Sequence, residues 1–218
     1  EGPAVQCIQL SFLEDWHWAT HTLPAFEWTP RSAPTGDMPV LVLPTGPADE
    51  LESCELFFQE VINRSRERLW IASPYFVPDR PVITALQLAS LRGVDVRILI
   101  PDKADHLGVW LAAYSYLDEF SSTGVDFYRY QDGFLHQKVM LIDGEAATVG
   151  TANFDNRSFR LNFEITAVVA DSGFAAEVER MLVADFAKSR LMQPGEYEAK
   201  PWWFRFGVKL ARLTSPVQ

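Results

Sequence analysis

The chain has 218 residues, of which 48% are hydrophobic and 22% charged, a composition that is typical of a globular protein with a substantial core and excludes intrinsic disorder. Its formal net charge of −10 argues against unspecific nucleic-acid binding, which needs Lys and Arg to neutralise phosphates, and no apolar run approaches the roughly eighteen residues of a membrane-spanning helix. Cys7 and Cys54 are expected to be free thiols of an intracellular protein, because nothing else indicates a disulfide scaffold.

The first 37 residues are predicted to be a connector. They show no regular pattern beyond a helical turn around FLEDWHWAT (residues 12–20), and Pro24, Pro30 and Pro34 interrupt the stretch that follows. The chain begins at Glu1, without Met and without a signal peptide, so a fragment or a processed product is expected.

From Val40 onwards, apolar stretches of strand character alternate with segments of helical periodicity. The predicted strands are residues 40–43, 69–72, 94–100, 125–130 and 162–170, with a hairpin near His136 before the last of them. The predicted helices are residues 51–66, 80–91 with Asp79 as its cap, a segment capped by Asp105 that ends before Gly124, and 174–188. This order predicts an α/β fold over residues 38–193, with a mixed β-sheet flanked by helices on both faces.

Residues 194–218 are predicted to form a basic, aromatic tail. The segment KPWWFRFGVKLARL (200–213) holds four basic residues, two Trp and two Phe. Basic and aromatic side chains interleaved in this way suit a lipid–water interface. A helix or strand that docks on a partner half of the protein explains the composition equally well.

The stretch from Phe134 to Glu164 brings a nucleophile, a cation and polar partners to an interpretable spacing. His136 and Lys138 are two residues apart, just before the apolar run VMLI (139–142). Side chains of a strand alternate between faces, so the imidazole and the ammonium are expected on the same face.

A two-residue turn at Asp143-Gly144 is predicted to reverse the chain, with Ile142 paired with Glu145. In that register Asn153 falls on the face of His136, at the open end of the hairpin. The imidazole, the ammonium and the amide are therefore expected to share one rim.

The sequence resembles the phospholipase D superfamily, whose HxKx4D signature is matched by His136, Lys138 and Asp143. The surrounding segments PYFVPD, LRGVDVRILIPDKADH, GFLHQK, GTANFDNRSF and RLNFE are similar to the C-terminal half of bacterial cardiolipin synthases, and the resemblance covers roughly residues 39–192. It implies a phosphatidyltransferase that moves a phosphatidyl group from one phosphatidylglycerol, through phosphohistidine, to the hydroxyl of another, with release of glycerol.

Each site residue has an expected role in that reaction. His136 is the expected nucleophile that attacks phosphorus and forms phosphohistidine, which splits one hard displacement into two easier ones. Lys138 is expected to hold the non-bridging phosphoryl oxygens, Asn153 to donate amide N–H groups to them, and Thr151 to add a hydroxyl. By resemblance, Glu164 accepts a hydrogen bond from the second nitrogen of the His136 ring, which fixes its tautomer.

Asp143 completes the catalytic motif by resemblance, yet its place in an Asp-Gly turn and its opposite parity favour a turn-forming role or a structural ion pair. Tyr75, in PYFVPD, and Phe134, in GFLHQK, are candidates for substrate binding. Since no cluster of His, Cys and Asp has metal-ligand spacing, neither a metal nor a cofactor is expected.

His136 is the one histidine followed two positions later by Lys; the others are His17, His21 and His106. In-line displacement needs a nucleophile on one side of phosphorus and a proton donor to the leaving alkoxide on the other. The chain is therefore expected to hold half an active site, and the second HxK is expected from an upstream half or from another copy in a homodimer.

The implied partners are phosphatidylglycerol or another anionic phospholipid and the membrane surface, with no nucleic acid. By resemblance, the full-length protein is expected on the cytoplasmic side of the bacterial inner membrane, and this fragment is expected to be soluble or peripheral. Two alternatives remain: hydrolysis, as a phospholipase D or a nuclease, and a catalytically silent half used for lipid binding or assembly.

Overall fold

The computed structural model describes residues 2–31, 36–103, 107–120, 122–193 and 195–213. The helices among them are, in chain order, α1 (Ala4–Thr20), α2 (Ser53–Arg64), α3 (Arg80–Leu91), α4 (Leu107–Phe120), α5 (Asn156–Arg160), α6 (Ser172–Ala187) and α7 (Trp202–Arg212). The strands are β1 (Val40–Thr45), β2 (Arg68–Ala72), β3 (Phe76–Val77), β4 (Asp95–Pro101), β5 (Asp126–Tyr130), β6 (Val139–Ile142), β7 (Ala146–Gly150), β8 (Phe154–Asp155), β9 (Glu164–Val169) and β10 (Ser189–Leu191). Within the described residues, no helix combines the length and apolarity needed to cross a bilayer.

A mixed sheet in the order β1-β9-β7-β6-β2-β4-β5-β10 forms the centre of the molecule. Strands β2, β4 and β5 run parallel, and the remaining neighbours in this sheet pair antiparallel. The short strands β3 and β8 form a separate parallel pair. This architecture confirms the predicted α/β fold.

The two faces of the sheet bury two apolar cores because successive strand side chains point to opposite sides. In β2, Leu69 and Ile71 enter the core shared with α2, α3 and α4, whereas Trp70 and Ala72 enter the core covered by α6. Leu69 and Ile71 are fully buried, and burial of such a side chain contributes roughly 1.5–3 kcal/mol. Helices thus cover both faces, as predicted.

Helix α3 has the bounds that its end signals predict. The side chain of Asp79 accepts a hydrogen bond from the backbone N–H of Val82 at 3.2 Å, and a proline stands in the first turn. Gly93, with φ of 93°, follows the end of the helix in a conformation that favours glycine. For α4, the predicted cap Asp105 lies outside the described residues, as does His106.

The prediction for the first 37 residues is wrong in one respect, since α1 is a helix of 17 residues. No residue of α1 is buried, and its apolar side chains are spread around the helix instead of forming a stripe. The residue at its N-cap, Pro3, forms no side-chain cap hydrogen bond. The sequence therefore carries neither the periodicity nor the cap that predicts a helix.

The predicted hairpin register is wrong by one residue. Ile142 pairs with Ala146 rather than Glu145, so the turn has three residues, and Asp143 and Gly144 both have positive φ (53° and 77°). A one-residue shift moves side chains to the opposite face of the sheet. The alternation of faces in the predicted hairpin therefore does not account for the position of Asn153.

The predicted tail contains helix α7, which packs against α4 of its own chain. Val208 is fully buried, and the ring of Phe204 lies 5.1 Å from that of Tyr114. This face of the helix is therefore not available for docking on a partner half.

Candidate active site

His136 and Lys138 lie at one edge of the sheet. They immediately precede β6, whose first residue Val139 pairs with Ala72, the last residue of β2. The carboxyl ends of the parallel strands β2, β4 and β5 meet at this edge. In open α/β sheets, ligands bind outside the carboxyl ends of the strands.

The imidazole and the ammonium are in contact. Lys138 Nζ lies 3.2 Å from His136 Nε2 and donates a hydrogen bond to the His136 carbonyl oxygen at 3.0 Å. Because an ammonium has donors only, Nε2 is the acceptor in this contact and carries a lone pair. The His136 ring is exposed, and it stacks on the exposed ring of Phe134 with 5.7 Å between centroids.

Gly150, at the end of β7, allows the hairpin to approach β9 closely. A Cβ atom at this position would lie 2.5 Å from the carbonyl oxygen of Ile165 and 2.9 Å from Thr166 Cα. Both contacts are to backbone, so a larger residue would push the strands apart. Gly150 also lines a small cavity of about 10 Å³ together with Lys138 and Ala152, so the β7 end adjoins the lysine.

The hydroxyl of Thr151 forms hydrogen bonds with other groups of the protein. Its Oγ1 donates a hydrogen bond to Glu164 Oε2 and accepts one from the Ile165 N–H at 3.0 Å. Its backbone N–H donates to the Ile165 carbonyl oxygen at 3.0 Å. The hydroxyl expected to bind substrate is thus engaged in joining β7 to β9.

Ser158 connects Asn153 to Glu164 and was not predicted from the sequence. Its hydroxyl donates to Glu164 Oε1 at 2.8 Å and accepts from Asn153 N–H at 3.0 Å and from Asn153 Nδ2 at 3.4 Å. Asp155, the N-cap of α5, accepts from the Ser158 N–H at 2.8 Å and fixes the serine at the start of the helix. An Asp three residues before Ser at a helix start is the sequence signal that was available.

The hydrogen bond expected between Glu164 and His136 is not formed. Glu164 is buried, and its carboxylate accepts hydrogen bonds from Thr151, Ser158 and Asn162, the last at 3.1 Å. These donors occupy both oxygens, so the carboxylate holds the β7–α5–β9 junction. Asn153 Oδ1 is buried without a hydrogen-bond partner among the described residues, which leaves one acceptor of the amide unused.

Asp143 lies at the opposite end of β6 from His136, so the structure does not bring its carboxylate to the imidazole. Its carboxylate accepts hydrogen bonds from the backbone N–H groups of Arg66, Glu67 and Arg68 at 2.8–3.1 Å. The expected turn role is therefore observed, while no ion pair of Asp143 occurs within the part of the chain that the structure describes.

The loop after β2 joins the site through Ser73. Its hydroxyl donates to the carbonyl oxygen of Tyr75 at 2.7 Å and accepts from the N–H of Phe154, the residue after Asn153, at 3.1 Å. Tyr75 is half-buried in this loop, whereas Phe134 stands exposed beside His136. Phe134 therefore adjoins the imidazole directly, and Tyr75 is tied to the site through backbone.

Cys54 lies in the core near Glu164 and is unsuited to nucleophilic chemistry. Burial raises the pKa of its thiol to about 12, so the sulfur stays protonated at neutral pH. Cys7 is exposed, and neither cysteine forms a disulfide.

Burial raises the pKa of the Asp155 carboxyl, although the hydrogen bonds from Ser158 act to lower it. Within the described ranges, no three residues among His, Cys, Asp and Glu are arranged to hold a metal ion.

A family model and relatives of similar sequence indicate the same family. A family model described as "Cardiolipin synthase, PLD-like domain" matches residues 58–186. Cardiolipin synthase A of Pseudomonas aeruginosa strain PAO1 is 53% identical over 216 residues, which are 99% of this chain and 44% of that protein. Cardiolipin synthase A of Pseudomonas fluorescens is 50% identical over 99% of this chain and 45% of its own length. The chain thus spans less than half the length of these relatives.

Solved structures show the same fold. A phospholipase D family member, Nuc from Salmonella typhimurium, superimposes with a TM-score of 0.60 at 19% identity, covering 72% of this chain and 99% of its own. Phosphatidylserine synthase of Haemophilus influenzae superimposes with a TM-score of 0.69 at 16% identity, covering 90% of this chain and 50% of its own. At such low identities the likeness concerns the fold alone.

Proposed function

The chain belongs to the cardiolipin synthase family of phospholipase D-like proteins, and we propose that it carries one half of the active site of a phosphatidyltransferase that makes cardiolipin from phosphatidylglycerol. The observation that carries the proposal is the contact between His136 Nε2 and Lys138 Nζ, 3.2 Å apart at an exposed sheet edge. A ring nitrogen that carries a lone pair, beside a lysine ammonium, suits attack on an anionic phosphodiester.

In the first step, His136 attacks the phosphorus of one phosphatidylglycerol. A P–N bond forms, the P–O bond to the headgroup glycerol breaks, and an acid on the far side of phosphorus protonates the leaving alkoxide. In the second step, a headgroup hydroxyl of another phosphatidylglycerol attacks the phosphohistidine and gives its proton to the conjugate base of that acid. The P–N bond breaks and cardiolipin is released.

Lys138 is proposed to hold the non-bridging phosphoryl oxygens in both steps. Its charge acts where negative charge persists in the transition state, and its contact with His136 keeps both groups at one phosphoryl position. Asn153 is proposed to donate its amide to the same oxygens. Its position depends on Ser158, which accepts from both its backbone and its side-chain nitrogen.

The acid on the far side is proposed to come from a second HxK sequence outside this chain. His17 and His21 are exposed in or beside α1, and neither is followed by Lys two residues later. The relatives are more than twice as long as the matched region, which favours an upstream half of the same protein over a second copy. The apolar, unburied α1 is a surface that such a half would cover.

The proposed substrate, phosphatidylglycerol, is a membrane lipid. We propose that it acts at the cytoplasmic side of the bacterial inner membrane, in line with the membrane lipids that a cardiolipin synthase uses. The described region then provides a catalytic half that works at the membrane surface.

Hydrolysis is the second candidate outcome of the same chemistry. It is favoured by the exposure of His136, because water that reaches phosphohistidine yields phosphatidic acid in place of cardiolipin. A closed partner half that excludes water favours transfer to a lipid hydroxyl.

The test is to incubate the chain, alone and with its separately expressed upstream half, with phosphatidylglycerol, and to identify products by mass spectrometry. Cardiolipin and glycerol from the mixture support the transferase, whereas phosphatidic acid supports the hydrolase. The absence of both products and of phosphohistidine in the mixture supports a silent lipid-binding half. Full activity of a demonstrably monomeric isolated chain refutes the half-site proposal.

A further inference from the structure

Helix α7 has one face that is committed to the rest of the domain. Val208 is fully buried, and Phe204 packs its ring 5.1 Å from Tyr114 and 6.0 Å from Trp110 on α4. Near the end of the helix, the Arg212 guanidinium lies over the Tyr116 ring at 5.1 Å. These contacts fix which side of α7 points outward.

The outward side of α7 is apolar. Its large hydrophobic side chains are 57–77% exposed, namely Trp202, Trp203, Phe206, Leu210 and Leu213. At about 100° per residue, they fall within roughly a third of the helix circumference. A contiguous exposed apolar patch on a soluble fold marks an interaction site.

Basic side chains border this patch on one side. Arg205 and Lys209 are exposed, and neither forms an ion pair with another described residue. The segment 200–213 contains four basic residues and no acidic one, in a chain whose net charge is −10. This local reversal of charge complements an anionic partner.

The combination points to a lipid surface rather than to a protein. Trp side chains favour the level of the headgroups, and a helix with one Trp- and Phe-rich face edged by Arg and Lys lies in the plane of an anionic membrane. A protein partner requires complementary pockets for each ring, whereas a bilayer accepts a convex row of them.

The position of α7 relates this surface to the active site. Phe204 lies beside Trp110, near the start of α4, and Arg212 lies beside Tyr116, so the two helices run in the same direction. Helix α4 follows the carboxyl end of β4, the sheet edge at which His136 lies. The start of α7, with its two tryptophans, therefore lies at the end of the domain that carries His136.

We propose that α7 docks the domain on anionic phospholipid bilayers through the face formed by Trp202, Trp203, Phe206, Leu210 and Leu213, with Arg205 and Lys209 contacting the headgroups. This inference goes beyond the proposed reaction, since it concerns binding to the surface and needs no turnover.

The test is co-flotation of the 218-residue chain with vesicles of equal phosphatidylserine and phosphatidylcholine, and with phosphatidylcholine alone. Phosphatidylserine supplies the negative charge without being the proposed substrate, so failure of the transferase reaction leaves this test unaffected. Binding is expected to the anionic vesicles only, and 0.5 M salt is expected to weaken it because surface charges are screened.

Point variants separate the helix face from folding. The double variant Trp203→Gln/Phe206→Gln is expected to bind at least tenfold more weakly, and each of Arg205→Glu and Lys209→Glu about fivefold or more. Leu91→Gln, an equally exposed apolar position (67%) on α3, and Arg64→Glu on α2 are the matched controls, expected to bind like the wild type. All variants must keep the wild-type melting temperature, because deletion of α7 would uncover α4.

Unchanged anionic-vesicle binding in the α7 variants overturns the proposal, as does an equal loss in the controls. If vesicles are not bound but the wild-type chain dimerises and Trp203→Gln/Phe206→Gln abolishes the dimer, the face is a protein interface and the proposal is wrong.

Discussion

The hydroxyl of Ser158 donates a hydrogen bond to Glu164 Oε1 at 2.8 Å, and both residues are buried. The same hydroxyl accepts from the backbone and the side chain of Asn153. Ser158 thus links two groups. One is the Asn153 amide, which is proposed to contact phosphoryl oxygens, and the other is the Glu164 carboxylate, which holds the neighbouring strand.

Ser158→Ala is expected to reduce turnover at least tenfold, because Asn153 and Glu164 each lose a partner. The loss of stability is expected to be about 1–3 kcal/mol, the cost of leaving buried polar groups unsatisfied. Urea unfolding and product formation, measured at a temperature where the variant is folded, check both effects.

The matched control is Ser115→Ala, since Ser115 is also buried in a helix and donates to a carbonyl oxygen, that of Ala112, at 2.7 Å. It is expected to lose stability while turnover of the folded protein stays normal. Equal losses of turnover in both variants would show that Ser158 matters for stability only.

His136→Ala is expected to abolish turnover and Lys138→Ala to reduce it by several orders of magnitude, because both act on one phosphoryl group. The measurements are product formation with the proposed upstream half present and detection of acid-labile phosphohistidine. Arg64→Ala, at an exposed position on α2, is the control and should leave both unchanged. Near-normal activity of the His136 variant would refute the phosphohistidine mechanism.

Asp143→Ala is expected to lower the free energy of unfolding by about 2–3 kcal/mol, because the carboxylate binds three backbone N–H groups at the start of β2. Alanine also fits the left-handed conformation at φ of 53° poorly. The turnover number of the folded variant should remain within a few-fold of the wild type. A large loss of turnover in the fully folded Asp143→Ala variant would show that this residue has a catalytic role.

The sequence predicts an element well where the determinants are local. Helix α3 has its predicted bounds because Asp79 and Gly93 act within one turn of its ends. The hairpin register was mispredicted because the turn length depends on Asp143 binding the backbone of Arg66 to Arg68, some 75 residues earlier. No local pattern reports such a contact.

In the candidate site, too, the sequence predicts the features with local determinants and misses those that depend on contacts between distant segments. The spacing of His136 and Lys138 led to an expected common face, and in the structure the two groups are in contact. The partners of Glu164 depend instead on how β7, α5 and β9 meet, so neither the engagement of Thr151 nor the bridging role of Ser158 follows from spacing.

Activity is expected to survive chelators, because an imidazole nucleophile and a lysine ammonium perform the tasks that a metal ion performs in other phosphoryl-transfer sites. The measurement is turnover of soluble short-chain phosphatidylglycerol with and without excess chelator. Short-chain substrate removes the effect of divalent ions on vesicle surfaces. A strict divalent-metal requirement under these conditions contradicts the proposed chemistry.

Glu55 is expected to make stability depend on pH. It is buried on α2, and burial, with a further contribution from the Asp79 side chain, raises its pKa to about 7, although Arg160 Nη2 binds both carboxylates at 2.8 Å. An unfolded glutamate ionises near pH 4.5, so between pH 4.5 and 7 the folded state retains a proton that the unfolded state releases. The stability that Glu55 contributes is therefore complete below pH 4.5 and is lost as the pH rises through 7.

Glu55→Gln removes this titration and is expected to flatten the dependence of the free energy of unfolding on pH between 5 and 8. Urea unfolding at each pH gives the free energy of unfolding of the variant minus that of the wild type. This difference should be larger at pH 8 than at pH 5. Glu60→Gln is the control on the same helix, because Glu60 is exposed and pairs with Arg64 in solvent, so its substitution should leave the slope unchanged. A Glu55→Gln slope equal to that of the wild type would show that this carboxyl ionises normally in the folded protein.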